Sequence, residues 1–293
     1  MFGEPIDSQP MAIDGPIAYA GEPGAFAEDA VLAAYGDVER RGLGSFREVF
    51  EAVASGAAAA GMVPIENVIN GTVRENYDLL LEYDLRIVGE VVVPVRLCLA
   101  ALPDQRLDGI ERVYSHIQAL GQAEVFLRGR SWQLLTTYNT AGAGKSIVER
   151  GERRAAAVLS PRAAGLFGLT ILVDEIGDLP GNRTRFAVLA RPSEPTQPPV
   201  TEGSLPVWRT TLALAVRNEP GTLLAVLQAL VKHGLNMSKL ESRPSRERAW
   251  EYVFWVDVDA DATAPVMVAA LDELGAVTTM VRVLGSYLRA AED

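Results

Sequence analysis

The sequence predicts an α/β protein in two parts: a two-lobed βα domain over residues 14–191 and a smaller βαββαβ sandwich over residues 207–289. Three observations predict it. From Pro16 to about Leu189, short apolar runs alternate with segments of helical period, the signature of stacked βα units around a largely parallel sheet. The stretch "RPSEPTQPPVTEGSLPV" then places prolines at 192, 195, 198, 199 and 206, so residues 192–206 read as an extended, semi-rigid linker. Beyond it the periods run strand, helix, strand, strand, helix, strand, the order of a ferredoxin-like sandwich.

The first part opens with strand "PIAYAG" and a helix beginning near Gly24. "SFREVFEAVAS" carries a capping box, Ser45 with Glu48, ahead of Phe46, Val49, Phe50 and Val53 at helical spacing. Strand "AAAAGMVPI", helix "RENYDLLLEY" and strand "LRIVGEVVVPV" complete the first set. A second set follows: strands "RLCLAAL" and "IERVYS", helix "IQALGQAEVFLRG", strand "WQLLTTY", helix "TAGAGKSIVER" and strand "AAAVLS". Ser160 and Pro161 supply an N-cap and a proline at the first helical position, which starts a short helix "PRAAGLFG". Two sets of similar size imply two lobes, residues 14–95 with 177–191 and residues 96–176, and a cleft between them. Ligands in open α/β sheets gather at the carboxyl ends of strands, so the loops there are where a site is expected. In the second part, helix "GTLLAVLQALVKHG" places Leu223, Val226, Leu227, Leu230 and Val231 toward the sheet. A domain this small has a marginal core, so pairing with a second copy is expected, as a homodimer or homotetramer.

Composition narrows the function. The formal net charge of -11 argues against nucleic acid and anionic membrane as partners, both of which reward basic patches. A small anion is still compatible, because screening over about 8 Å lets a few cleft arginines act locally. The single cysteine, Cys98, sits in an apolar run and reads as an inert core thiol; with only His116 and His233 beside it, no metal site is expected. Catalysis must therefore run on carboxylates, hydroxyls, amides and arginines. The acidic, proline-containing start gives no sign of export, and the longest apolar stretch is broken by Glu90 and Arg96, so a cytoplasmic protein is expected.

"NTAGAGKS", residues 139–146, looks like a phosphate loop, but that motif needs glycine where Asn139 stands. Thr140 reads instead as an N-cap, with the free N–H groups of the following turn open to an anion; capping without a ligand explains the stretch equally well. The other strand-end loops bring Glu66 and Asn67 in "VPIENVINGTV", Ser115, His116, Gln118 and Gln122 in "YSHIQALGQ", and Asn182 to Phe186 in "NRTRF". Together with "GEPGAF" near the start, these stretches match in order the G-x-x-G-x-F, V-P-I-E-N-x-x-x-G-x-V, S-H-x-Q-A-L and N-x-T-R-F-x-V-L patterns of the prephenate dehydratase family, which the chain resembles. "NEPGTLLAVLQAL" and "SKLESRPSRERAWEYVFWVDV" extend the resemblance through a regulatory ACT domain.

The resemblance implies a periplasmic-binding-protein-like catalytic domain that takes prephenate as substrate and releases phenylpyruvate, carbon dioxide and water. Aromatisation drives that reaction, so it implies no cofactor. It makes Thr184 the hydrogen-bond donor to the departing hydroxyl, gives Arg185 a substrate carboxylate to hold and has Phe186 shape the pocket. Asn67, Ser115, Gln122, Thr140 and Asn182 are expected to orient the substrate; Glu66, His116 and Gln118 are given supporting roles. The family's hydroxyl residues are absent at Ala25 and Ala27, Val68 replaces a serine, and Ile117 replaces a proline. In the second domain Asn218, Pro220, Gly221, Thr222, Leu223 and Leu224 form a turn before a helix N-terminus, suited to an amino acid's carboxylate. By resemblance, Glu241, Ser242, Arg243 and Pro244 complete a site for L-phenylalanine as effector. Thr222 and Leu224 depart from the family's usual Gly-Ala-Leu-Val pattern there. Two other functions fit the same residues: dehydration of arogenate, and an amino-acid sensor without catalysis.

Overall fold

The computed structural model describes residues 14–192, 207–244 and 252–290; the expected linker, apart from Pro192, lies outside the described residues. The first lobe runs β1 (Ile17–Ala20), α1 (Phe26–Tyr35), β2 (Arg40–Leu43), α2 (Phe46–Ala54), β3 (Ala60–Asn67), β4 (Gly71–Thr72), α3 (Arg74–Glu82) and β5 (Arg86–Pro94). The second runs β6 (Cys98–Ala101), β7 (Arg112–Ser115), α4 (Ile117–Gln122), α5 (Glu124–Leu127), β8 (Gln133–Thr136), α6 (Thr140–Arg150), β9 (Ala155–Leu159), α7 (Pro161–Leu166) and β10 (Thr170–Val173). The chain then returns through β11 (Arg183–Ala190), which inserts into the first sheet, giving the order β2-β1-β3-β11-β5 with β4 on β3. The second sheet has the order β10-β6-β9-β7-β8. β7 lies parallel to β8 and β9, whereas β6 is antiparallel to both β9 and β10. The α/β class expected from the sequence is the one found; β2 and β10, too short or too mixed to show a period, were not anticipated.

Local chemistry sets the element ends. Ser45 Oγ accepts from the Glu48 N–H at 3.2 Å, as the capping box predicts, while the Glu48 carboxylate reaches back to the Gly44 N–H at 3.1 Å. Helix α1 starts two residues after Gly24, which holds φ +89° and whose Cβ, were there one, would lie 2.8 Å from that of Ala163 in α7. The predicted helix through "IQALGQAEVFLRG" is two short helices, broken at Ala123 (φ -117°, ψ 23°). The cap of α6 is Asn139, one residue before Thr140: Asn139 Oδ1 accepts from the Gly142 N–H at 2.5 Å. The glycines of that helix answer to packing, since a Cβ at Gly144 would fall 2.7 Å from Leu159 of β9.

The C-terminal domain runs β12 (Trp208–Val216), α8 (Thr222–Lys232), β13 (Met237–Pro244), β14 (Tyr252–Val258), α9 (Pro265–Val277) and β15 (Met280–Leu288), with all-antiparallel sheet order β13-β14-β12-β15. Its core joins Leu212, Leu214, Val256 and Val258 to Val226, Leu230, Met267 and Leu274. Val231, expected on the buried face, is 75% exposed, and Ala229 packs inward instead.

The chain forms two compact units, and the short segment Asp84–Glu90 at the start of β5 belongs with the C-terminal residues from Leu189 onward. Within that unit Gly285 meets Ile87 backbone to backbone: a Cβ at Gly285 would lie 2.0 Å from the Ile87 carbonyl oxygen. Arg86 donates to the Val283 carbonyl. Beneath these contacts, Arg209 Nη1 donates to both Glu90 carboxylate oxygens at 2.8 and 2.7 Å, both side chains being almost wholly buried. Removing one member of such a pair strands a buried charge, at a cost of about 3–5 kcal/mol.

Candidate active site

Asn67 ends β3 directly beside the start of β11, so two residues more than a hundred positions apart meet. Its Nδ2 donates to Asn182 Oδ1 at 2.8 Å, to the Arg183 carbonyl at 3.0 Å and to Thr184 Oγ1 at 3.0 Å. Its Oδ1 accepts from the Ile69 and Asn70 N–H groups at 3.0 and 2.9 Å, which fixes which end of the amide faces Thr184. Because Thr184 Oγ1 accepts from Asn67, its own proton is left to be donated elsewhere. Asn67, Asn182 and Thr184 are each 8% exposed, a polar cluster almost wholly withdrawn from water.

Strand alternation separates what the sequence reading grouped. Along β11, Thr184 and Phe186 share one face and Arg185 takes the other. Glu66 is likewise opposite Asn67 along β3, and Arg185 Nη2 donates to Glu66 Oε2 at 2.7 Å. The guanidinium assigned to a substrate carboxylate thus neutralises the very acid that was given a supporting role. Phe186 is 2% exposed and packs in the sheet's core beneath the threonine. Arg183 is half-buried and contributes its carbonyl to Asn67.

From the second lobe, Ser115 is fully buried and its hydroxyl donates to the Val158 carbonyl at 2.6 Å, holding β7 to β9. His116 caps α4: its Nδ1 accepts from the Gln118 N–H at 3.3 Å. Burial holds its imidazole below the ordinary histidine range, so at neutral pH it is uncharged with the proton on Nε2. The Gln118 side chain is exposed, Gln122 is half-buried at the end of α4, and Thr140 opens the first turn of α6.

Sequence reasoning missed the residues that bridge the lobes. Lys145 Nζ donates to Glu22 Oε2 at 2.8 Å and the Tyr138 hydroxyl to Glu22 Oε1 at 3.0 Å. The Lys145 hydrogen bond is the main reason the Glu22 carboxyl sits below its usual range. Deeper, Arg162 of α7 pairs with Glu28 and Asp29 of α1, and Arg40 Nε donates to Glu28 Oε1 at 2.7 Å. Burial pushes the Glu28 carboxyl up, but the Gly24 N–H and the two guanidinium groups outweigh it and the net shift is downward. Glu22 and Lys145 stand inside stretches already singled out, "GEPGAF" and "NTAGAGKS"; nothing in either stretch signals a partner across the cleft.

In the C-terminal domain a cavity of about 210 Å³ is lined by Asn218, Gly221, Thr222, Leu223 and Leu224, with Val216, Arg217, Glu219, Tyr252 and Phe254. Gly221 takes the left-handed conformation, φ +89°, that turns the chain into α8. Thr222 Oγ1 donates to the Arg217 and Glu219 carbonyls at 2.8 and 3.0 Å, tying the turn shut. Pro220 is outside the lining. Ser242 and Pro244 pair in register with Phe254 and Tyr252, whereas Glu241 bonds to Arg243 on the opposite face of β13. Among the described residues no group of histidine, cysteine or acidic side chains could hold a metal ion, and no helix is long and apolar enough to cross a membrane.

A two-lobed α/β domain followed by a small βαββαβ domain with a cavity before its first helix defines an enzyme of the ACT-containing class; the ACT domain family matches residues 210–276. The chain belongs to the prephenate dehydratase family, which matches residues 17–194. It is 38% identical over 278 residues to the bifunctional chorismate mutase/prephenate dehydratase of Aquifex aeolicus (strain VF5), spanning 94% of this chain and 74% of that one. Arogenate dehydratase 1 of Petunia hybrida is 39% identical over 92% of this chain and 66% of its own. Among solved structures, prephenate dehydratase from Arthrobacter aurescens in complex with L-Phe superposes with a TM-score of 0.83 at 30% identity, covering 94% and 90% of the two chains.

Proposed function

We propose that the chain catalyses the decarboxylating dehydration of prephenate to phenylpyruvate in phenylalanine biosynthesis, with L-phenylalanine as feedback inhibitor. The observation that carries this is the Asn67–Thr184 hydrogen bond inside a family match that spans the catalytic domain. As the ring carboxylate leaves as carbon dioxide, its bonding pair enters the ring; the carbon–oxygen bond breaks with its pair on oxygen, and a proton completes water. Thr184 donates to that oxygen as charge develops on it. Asn67 occupies the threonine's acceptor side and so keeps the hydroxyl aimed outward. Positioned hydrogen bonding of this kind contributes about 10²–10⁴-fold. Asn182 holds Asn67, and the free N–H groups at the start of α6, beginning with Thr140, suit a substrate carboxylate. Phe186 floors the site, and Arg185 with Glu66 keeps β3 and β11 in register. Ser115, His116, Gln118 and Gln122 shape the opposite wall.

The effector site is the cavity before α8, where Arg217 and the helix N-terminus meet a carboxylate and Tyr252 and Phe254 meet an aromatic ring. Strand β13, at the sheet edge, pairs with a second copy and brings Glu241 to Pro244 into that site; a homodimer or homotetramer in the cytoplasm is the form proposed, and light scattering on the eluted protein checks the oligomer. A second reading has support in the plant relative named for arogenate, whose side chain carries an ammonium in place of the keto group. Turnover of the purified protein on each substrate, with and without L-phenylalanine, decides. Faster arogenate turnover would move the assignment within the family, and turnover of neither by folded protein would leave the sensor reading.

A further inference from the structure

The buried Glu90–Arg209 pair joins β12, whose other end lines the proposed effector cavity, to β5, whose chain runs on toward Asn182. At one end, Val216 of β12 and Tyr252 and Phe254 of β14 line the cavity. The same two strands carry Arg209, Thr211 and Asp257 at their other end, with Thr211 in register with Asp257. Thr211 Oγ1 donates to Asp257 Oδ1 at 2.8 Å and lies 2.8 Å from the Tyr287 hydroxyl, while Arg209 Nε stands 3.9 Å from Asp257 Oδ2. Arg209 is thus shared between two buried carboxylates, one on its own sheet and one on β5. The Ala290 N–H adds a bond of 2.9 Å to Glu90 Oε1.

From Glu90, β5 runs on to Pro94, and the next N–H, that of Val95, donates to the Asn182 carbonyl at 2.8 Å. Asn182 Oδ1 accepts from Asn67, which in turn donates to Thr184. The span from Glu90 to Val95 is roughly 17 Å of extended strand. A strand held in a sheet resists bending, so displacement of its first residues along its axis reaches its last ones. Every step is a covalent strand or a hydrogen bond, except the ion pair of 3.9 Å between Arg209 and Asp257.

We propose that the Glu90–Arg209 pair is the joint through which occupancy of the effector cavity reaches Asn67 and Thr184 by way of β5. This rests on the functional reading above and extends it to the regulation of that site. L-phenylalanine wedged against Phe254 and Tyr252 shifts β14 against β12, Asp257 and Glu90 then compete differently for Arg209, and β5 moves with Glu90. Coupling of this kind is a difference in effector affinity between two states of one element.

The test is the double variant Glu90→Gln with Arg209→Gln, which removes both charges and leaves two groups able to hydrogen-bond. Phenylpyruvate formation from prephenate is measured against L-phenylalanine concentration, and L-phenylalanine binding is measured separately by calorimetry. Binding and uninhibited turnover within about threefold of the parent, with the turnover left at saturating L-phenylalanine raised at least tenfold, is the expected result. Unchanged residual turnover at saturating L-phenylalanine with unchanged binding overturns the proposal. If the double variant does not fold, Arg209→Lys keeps the charge but not the guanidinium geometry, and at least a threefold loss of inhibition relative to binding is expected; no loss overturns the joint equally. A parent protein that turns over neither substrate defeats the functional reading instead. The joint is then read by amide exchange: L-phenylalanine must alter exchange in residues 86–95 of the parent and not of the variant, and equal responses overturn it.

Discussion

Replacing Thr184 by valine separates chemistry from packing. Valine has the shape of threonine with a methyl in place of the hydroxyl, so the van der Waals contacts around a side chain only 8% exposed are kept. What changes is one hydrogen bond: Asn67 Nδ2 loses the Thr184 acceptor but keeps Asn182 Oδ1 and the Arg183 carbonyl. Stability should therefore fall by about 1 kcal/mol, a drop of roughly 2–4 °C in the melting midpoint of a domain this size. Turnover should fall far more. If the Thr184 hydroxyl stabilises the leaving oxygen, its loss raises the barrier by about 3–5 kcal/mol, or 10²–10⁴-fold in kcat. Prephenate KM should change little, because the hydroxyl is needed most as the carbon–oxygen bond breaks. Thr184→Ser keeps the hydroxyl but loses the β-branch that limits its rotamers, and should recover most of the rate. The assay is phenylpyruvate formation corrected for the uncatalysed reaction, with circular dichroism melts alongside. A valine variant that retains kcat within about tenfold would refute the reasoning, and a rate loss matched by unfolding would say nothing for chemistry.

His116→Asn offers α4 another good cap, so kcat should stay within a few-fold; a loss above about a hundredfold would make the imidazole a proton donor after all. Since burial lowers the folded His116 below 6.5, its contribution to stability is full above that pH and is lost as pH falls through the folded value, and melts of the asparagine variant should show a shallower acid decline. Lys145→Met removes the main partner of Glu22 across the cleft and should raise KM more than it lowers kcat, with the difference from the parent shrinking as acid protonates Glu22, whose carboxyl lies below its usual range; equal KM values at neutral pH would show that the bridge does not act on substrate binding. Cys98 is buried and its thiol is pushed up to about 12, so a thiol reagent should leave the native protein unlabelled and modify one site per chain in denaturant.

What the sequence could show was whatever repeats or clusters along it. The capping box at Ser45, the Ser160–Pro161 start of α7 and the βαββαβ order are all local, and each stands in the structure as read. The four strand-end motifs named the site's threonine and asparagine without showing that they touch, since the contact joins the end of β3 to the start of β11. That Arg185 pairs with Glu66 was not legible, because a motif written as a string hides strand alternation: adjacent letters face opposite sides of a sheet. Glu22 with Lys145 and Glu28 with Arg162 were invisible because each pair is drawn together only by the meeting of two lobes. Short elements such as β2 and β10 lacked the residues to show a period at all. The register of Glu90 against Arg209 lay beyond any pattern, because a charge inside an apolar strand reads as an interruption until its partner is seen.

Gly285 gives that joint a genetic dimension. Its backbone lies against the Ile87 carbonyl with no room for a methyl group. Every glycine codon is a single base change from an alanine codon, so one mutation, at a residue that belongs neither to the lining of the proposed effector cavity nor to the polar cluster around Thr184, would pry β15 from β5. A cell selected on a toxic analogue of phenylalanine needs an enzyme that still works but no longer obeys its product, and Gly285 is where such a lineage should be found to have changed.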